Sequence, residues 1–241
     1  MRSPTVAPAA APPPSSLTFA KGELLSYVAK LNELPAGDGE IRLRKEQQDG
    51  REVYRVLAQG RTNELVDYLF RLRGTADSTF TTNGFSPIAF RFAYTNGDRP
   101  RELGVRYDPE TKSLVGMVKK KNQARERSEP AAGVYDPISA LYLFRSRELA
   151  PGLSQQVEVF TGKDRYQVVA HVVRKEDVQL ISGERPAVRL HLEGFRTNDG
   201  ARKNSFPEET TLWVSPDAAH VPLKLESFLP FGLFVVELSE R

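Results

Sequence analysis

Three histidines, His171, His191 and His220, are the only imidazoles in the chain, and there is no cysteine. The missing cysteines exclude disulfides, thiol catalysis and thiolate-ligated metal. A Ser-His-Asp mechanism needs a nucleophile on a sharp turn beside a positioned histidine, and no Gly-x-Ser-x-Gly is present. Nor is there a phosphate loop or a dinucleotide fingerprint. His191 falls on the polar side of an alternating strand beside Arg189 and Glu193, and His220 falls in a turn before Val221-Pro222. Both read as surface histidines. His171 shares a face with Val169 and Val173, and pairing of strands 165–175 and 187–197 would bring it to His191. Two imidazoles without a third ligand make a poor metal site. Carboxylates at Glu208-Glu209, Asp98 and Asp108 sit in turns and read as solvated charges. Glu23 lies between apolar residues of the first strand, where burial raises a carboxyl pKa unless an arginine pairs with it. The expectation is no metal, no cofactor and no catalytic residue, with an enzyme as the minor reading.

Binding chemistry is better represented. Arg71 and Arg73 share one face, and the Asn83-Gly84 turn would bring Arg91 alongside. A row of guanidiniums holds phosphate or carboxylate through paired hydrogen bonds. Asp67 and Asp77 would equally absorb these arginines as cross-strand pairs. Lys119-Lys120-Lys121 with Arg125 and Arg127 reads as a basic loop, either solvated or lying against an anionic membrane surface. Trp213, Phe231, Phe234, Tyr142 and Phe144 read as core. A curved sheet crossed by one helix leaves an apolar groove between them. Arg71, Arg73, Arg91, Tyr142, Arg145 and Trp213 are therefore the candidate ligand-binding residues.

The elements that must position them are mostly strands. The long helix is 136–147: Asp136 suits the N-cap, Pro137 the first helical position, and Ile138, Leu141, Tyr142 and Arg145 follow at helical spacing. The segment 64–70 is ambiguous between a helical turn and a buried strand. The rest reads as more than ten short antiparallel strands: a first strand over Gly22–Ala29, a turn at Leu34–Gly39, a hairpin about Asn83-Gly84, a loop over Lys119–Gly133, and strict alternation through Val188, Leu190 and Leu192. The fold class is mainly β, a large curved antiparallel sheet or partly open β-barrel with one buried helix. The 241 residues divide into a Pro/Ala-rich tether over 1–16 and a single domain over 17–241. A net charge of +3 spread along the chain is no nucleic-acid footprint. No apolar run approaches the roughly 18 residues of a membrane span.

Several signatures recur in a familiar order. They are Gly22-Glu23-Leu24-Leu25-x-Tyr27, Pro35-Ala36-Gly37, Gly50-Arg51-x-Val53-Tyr54, Val66-Asp67-x-x-Phe70-x-x-Arg73 and Tyr135-Asp136-Pro137-Ile138-Ser139-Ala140-Leu141-Tyr142. Thr161-Gly162-Lys163-x-x-Tyr166 and Leu212-Trp213-x-Ser215-x-Asp217 follow, then Val221-Pro222 and Leu229-Pro230-Phe231-Gly232. Together, over roughly residues 20–240, they resemble the DUF3108 family of bacterial exported proteins. The resemblance implies a β-rich periplasmic protein made with a leader, which is absent here, and carries no established activity. The leading expectation is a non-enzymatic binding or carrier protein for an amphipathic envelope component such as a lipid. The alternative is a structural or interaction module with an envelope protein partner, and the third is a hydrolase built around His171.

Overall fold

The computed structural model describes residues 19, 22–67, 71–96, 99–120, 123–198, 203–207 and 209–240. The Pro/Ala-rich stretch and Tyr68–Phe70 lie outside them. The first half of the chain runs β1 (Glu23–Leu31), β2 (Leu34–Gln48), β3 (Arg51–Thr62), a short α1 (Glu64–Asp67), β4 (Leu72–Thr81), β5 (Pro87–Asn96), β6 (Arg99–Asp108), β7 (Ser113–Lys120) and β8 (Gln123–Pro130). The second half runs β9 (Val134–Tyr135), α2 (Pro137–Arg145), β10 (Ser154–Phe160), β11 (Arg165–Leu180), β12 (Gly183–Arg196), β13 (Lys203–Asn204), β14 (Thr210–Val214), β15 (Pro222–Leu229) and β16 (Gly232–Glu240). All the strands belong to one sheet in the order β8-β7-β6-β5-β4-β3-β2-β1-β16-β15-β14-β12-β11-β10-β9, with β13 beside β12. The pairs are antiparallel apart from β9 with β10. The sheet rolls into a nearly closed barrel with α2 inside it.

Inward positions follow the two-residue period of a strand. Tyr54 and Val56 on β3 and Phe80 on β4 face α2, where they join Phe19, Phe85, Tyr142 and Leu143 in the main core cluster. The rings meet edge-on, tilted or stacked, as in the Tyr54–Phe85 stack at 6.1 Å and the Phe19–Tyr142 edge contact at 5.1 Å. Such pairs add to what burial alone supplies.

Two sequence expectations need correcting. The first turn is not at Leu34–Gly39, which belongs to β2, but at Asn32-Glu33, both with positive φ (48° and 65°). That geometry matches the right-handed twist of a two-residue hairpin, and Pro35 is absorbed at the start of β2 beside a register shift at Ala29/Lys30. The stretch read as a loop over Lys119–Gly133 instead contains β8, paired with β7 from Ser113↔Pro130 to Lys120↔Gln123. Apolar alternation is missing there because β8 is an edge strand, and charged side chains are how such edges are kept from pairing with strangers.

The two ends of the sheet meet without a hydrogen-bonded ladder. The turn between β10 and β11, at Thr161–Asp164, presses on β6 and β7. A Cβ added at Gly116 would lie 2.4 Å from the Gly162 carbonyl oxygen, and one at Gly162 would lie 2.1 Å from that of Gly104. Arg165 on β11 then reaches Glu129 on β8 at 3.2 Å and Glu158 on β10 at 3.1 Å.

Closure therefore rests on the Arg165–Glu129 pair and on a backbone approach at Gly104, Gly116 and Gly162 that leaves no room for a Cβ at Gly116 or Gly162. Gly116→Val is expected to cost about 1–3 kcal/mol as an overpacked site, lowering Tm by several degrees in a thermal melt. Gly60→Ala, whose Cβ would meet nothing nearer than the Asp38 carbonyl oxygen at 3.8 Å, is expected to leave Tm unchanged or raise it. Equal losses in both variants would contradict this account of closure.

Candidate functional site

Helix α2 is pinned at both ends. At its start the Asp136 carboxylate, fully buried, accepts from the Ile138 and Ser139 amides at 2.9 and 3.1 Å and from Ser78 Oγ on β4 at 3.0 Å. Burial pushes the Asp136 carboxyl up, and the hydrogen bonds from Ser139, Ser78 and Ile138 work against that. At its end the Arg145 side chain, 2% exposed, donates to the two Glu23 carboxylate oxygens at 2.6 and 2.8 Å and to the Ala219 carbonyl at 3.1 Å. The Tyr142 hydroxyl donates to the same Glu23 carboxylate at 2.6 Å. The guanidinium also lies over the Tyr142 and Phe19 rings, at 4.7 and 4.9 Å. Burial works to lower the Arg145 pKa, yet its bonds to Glu23 hold it above the ordinary value; burial raises Tyr142 well above its own. The carboxylate that the sequence left between burial and pairing is thus paired.

The helix is packed asymmetrically. Ala140, Tyr142 and Leu143 are buried against the aromatic core, whereas Leu141 and Phe144 are only half-buried. These two face a cavity of about 470 Å³, whose far wall is Val168, Leu190, Leu192 and Leu212 of β11, β12 and β14. Phe206 borders it, folded back so that a Cβ at Gly194 would lie 2.2 Å from its ring. Apart from Arg145, the polar residues of the lining are Thr161, Tyr166 and Ser205. A second apolar cavity of about 550 Å³ lies on the concave face beyond Tyr27. A concavity of about 1010 Å³ lies on the outer face, lined in part by Arg61, Arg73 and Arg91.

The structure disperses the sequence candidates. Arg73 and Arg71 both turn to Asp67, at 2.6 and 3.6 Å, and the Arg73 and Thr62 bonds hold the Asp67 carboxyl below its ordinary value. Arg91 pairs with Glu102 at 2.7 Å, Arg55 takes Asp77 at 2.8 Å and Arg61 takes Asp38 at 3.1 Å. Arg73 and Arg91 do line one concavity, but each is engaged in an ion pair, Arg73 with Asp67 at the end of α1 and Arg91 across to Glu102 on β6. Tyr142 and Arg145 are committed to Glu23, and Arg145 alone of the six candidates borders the α2 cavity. Trp213 lies elsewhere: its indole N–H donates to Glu176 at 2.8 Å, and Arg189 and Lys224 each lie 5.6 Å from the ring.

His171 sits directly opposite His191, as the strand pairing required, with the rings stacked 6.2 Å apart rather than converging. Both ring nitrogens of His171 are engaged, one with Ser154 Oγ at 2.7 Å and one with Glu193 at 3.2 Å. Among the described residues no three His, Asp or Glu side chains group to hold a metal ion. The cavity residues on β12 and β14 escaped the sequence reading because alternation marks an inward side chain without saying whether protein fills the space before it.

The sequence profile of DUF3108, "Protein of unknown function (DUF3108)", matches residues 26–239. No curated protein matches the chain. Among solved structures, the chain is similar to a beta-barrel-like protein of domain of unknown function DUF1849 from Brucella abortus. The TM-score is 0.57 at 9% identity, covering 91% of this chain and 96% of that one. At that identity the likeness is one of fold alone. Among the described residues no helix is long and apolar enough to cross a membrane.

Removing one partner of the buried pair is expected to be severe. Glu23→Ala, which strands the Arg145 charge, should cost about 3–5 kcal/mol in denaturant unfolding, and the Glu23→Leu/Arg145→Leu double variant markedly less. Trp213, the one tryptophan, gives a separate readout. Burial works to raise the Glu176 carboxyl, but the Trp213 and Arg174 bonds hold it below its ordinary 4.5. A carboxylate with a depressed folded-state pKa stabilises above the unfolded value, and that contribution is lost as pH falls through the folded one. Tryptophan emission is therefore expected to shift below pH 4.5, and not to shift in Glu176→Gln.

Proposed function

The chain belongs to the DUF3108 family, and we propose that it is a non-enzymatic binding or carrier protein for an amphipathic component of the bacterial envelope, such as a lipid, working in the periplasm. The observation that carries this reading is the cavity of about 470 Å³ between α2 and the sheet. Its volume falls in the roughly 300–1,000 Å³ range of small-molecule sites, which are mostly apolar with a few placed polar groups. Helix and sheet present facing apolar surfaces that protein leaves unfilled. Both ends of α2 are fixed by buried polar bonds, so the space is held open in advance and a ligand need not order it. With Arg145 committed to Glu23, the cavity takes the hydrocarbon part of the ligand. The Thr161, Tyr166 and Ser205 hydroxyls are the polar groups nearest to hand.

A second reading, an interaction module of an envelope complex, is favoured by one observation. Phe228 and Phe231, 53% and 55% exposed, share the tip of the β15–β16 hairpin. The neighbouring β1–β2 tip carries Leu34, 58% exposed, and Asn32 ties the two tips together through the Phe231 carbonyl and the Leu233 amide.

Native mass spectrometry of protein purified from the envelope fraction, followed by solvent extraction, tests the first reading. A discrete adduct that extracts as a lipid is expected, and it should vanish in Leu192→Trp, which fills the cavity, with Tm preserved. A clean apo mass would overturn the carrier. Co-purification of a protein that is lost in Phe228→Ser/Phe231→Ser would put the interaction module in its place.

A further inference from the structure

We propose that the concave face carries a second, separate ligand site, for a neutral, flat, ring-bearing hydrophobe rather than a flexible chain. It is the cavity of about 550 Å³ beyond Tyr27, which shares no lining residue with the α2 cavity. Along β3 the inward side chains shrink away from α2, from Tyr54 and Val56 to Ala58 and Gly60. Along β4 they shrink from Phe80 and Ser78 to Ala76 and Gly74. The register sets Ala58 opposite Ala76 and Gly60 opposite Gly74. The result is a floor of small residues bordered by the Tyr27 and Phe234 rings, with the Phe92 ring lying over its Gly74 end, 3.2 Å from where a Cβ would stand there.

Gly60 is the informative residue. Its backbone is not in the left-handed region, and an added Cβ would meet only the Asp38 carbonyl oxygen at 3.8 Å. Neither conformation nor packing calls for glycine there, yet glycine within a strand costs roughly 0.5–1 kcal/mol relative to alanine. A strand glycine marks a bulge, a tight bend at a barrel corner, or close approach by a ligand or another backbone. The ladders to β2 and β4 pass Gly60 without a register shift, and its nearest backbone neighbour stands at ordinary van der Waals distance, so the room over it is open to a ligand. The shape gives the ligand class. Continued to Gly39 on β2, opposite Gly60, the floor is about 10 Å across the strands and about 7 Å along them. That is a slab the size of a few fused rings, walled by aromatic side chains that stack on flat partners. Asp38, Glu40 and Arg61 also border the space, but Arg61 pairs with Asp38 and Arg42 with Glu40, so the charges at its edge are balanced in pairs.

The test is independent of the carrier reading and is made in the Leu192→Trp background, where the α2 cavity is filled. The neutral aromatic probe N-phenyl-1-naphthylamine is titrated into the full chain and its fluorescence followed. Saturable binding is expected, displaced by pyrene at concentrations at least tenfold lower than by palmitate. Gly60→Leu and Ala76→Leu, added separately and checked by thermal melt, should each weaken the probe by tenfold or more. No saturable binding, equal displacement by palmitate, or unchanged affinity in a folded variant would overturn the site. Should both variants fail to fold, the pyrene-against-palmitate comparison still decides. A lipid adduct lost in Leu192→Trp would leave the carrier reading standing whatever the probe does.

Discussion

The Glu23–Arg145 pair is what the interior is arranged around. A rolled sheet of this size has more concave surface than one short helix can cover, so the helix must be fixed in place rather than merely accommodated. One buried carboxylate on β1 receives both a guanidinium and a phenol from α2, while the guanidinium also reaches the Ala219 carbonyl in the turn before β15. The arrangement spends every polar group on position, since a buried charge is tolerated only when paired and hydrogen-bonded. With the opposite end held by Asp136 to Ser78, the helix can neither slide nor rotate to fill the space beside it. That is why apolar room persists next to Leu141 and Phe144 instead of collapsing.

The local grammar of the chain was legible. Asp136-Pro137 announced the helix start, and the cap forms as expected, although the helix stops at Arg145 with Ser146 as its C-cap. Asn83-Gly84 marked a real hairpin, and the alternation of Val188, Leu190 and Leu192 assigned the inward face of β12. What was not legible depends on neighbours distant in sequence. Arg145 reads as a free cation until Glu23, far away on β1, is seen beside it. Arg71, Arg73 and Arg91 read as an anion row until Asp67 and Glu102 are placed. β8 hid behind charge because its outward side chains answer to the edge, not to the core.

Charge is handled in the same manner on the outer face of β2–β7. Arg61 with Asp38, Arg55 with Asp77, and Arg91 and Lys119 with Glu102 form a lattice of cross-strand pairs, to which Arg73 with Asp67 of α1 adds one more. Exposed pairs of this kind contribute little singly. Collectively they leave the charges around the outer concavity balanced, while the linings of the interior spaces are mostly apolar. The two sides of one sheet thus present chemically opposite surfaces, a division that follows from the two-residue period of its strands.

The order of strands carries a consequence for how the chain finds this shape. β1 through β8 form one meander and β9 through β16 a second, almost wholly between sequence neighbours, and β1 against β16 joins them, with Ser26 opposite Glu240. The first and last strands therefore meet in mid-sheet, whereas the middle of the sequence, at the turn between β8 and β9, lies at the seam. Each meander can zip locally, and the entropy of closing the longest loop is met mainly at a single ladder. Opened at Ala131–Gly133 and joined end to end, the same polypeptide would keep every ladder and, from β10 through β16 and on from β1 to β8, run as an up-and-down ribbon broken only by β13 beside β12. The fold is in this sense a circular permutation of a simpler one, with its long-range step concentrated where the two ends shake hands.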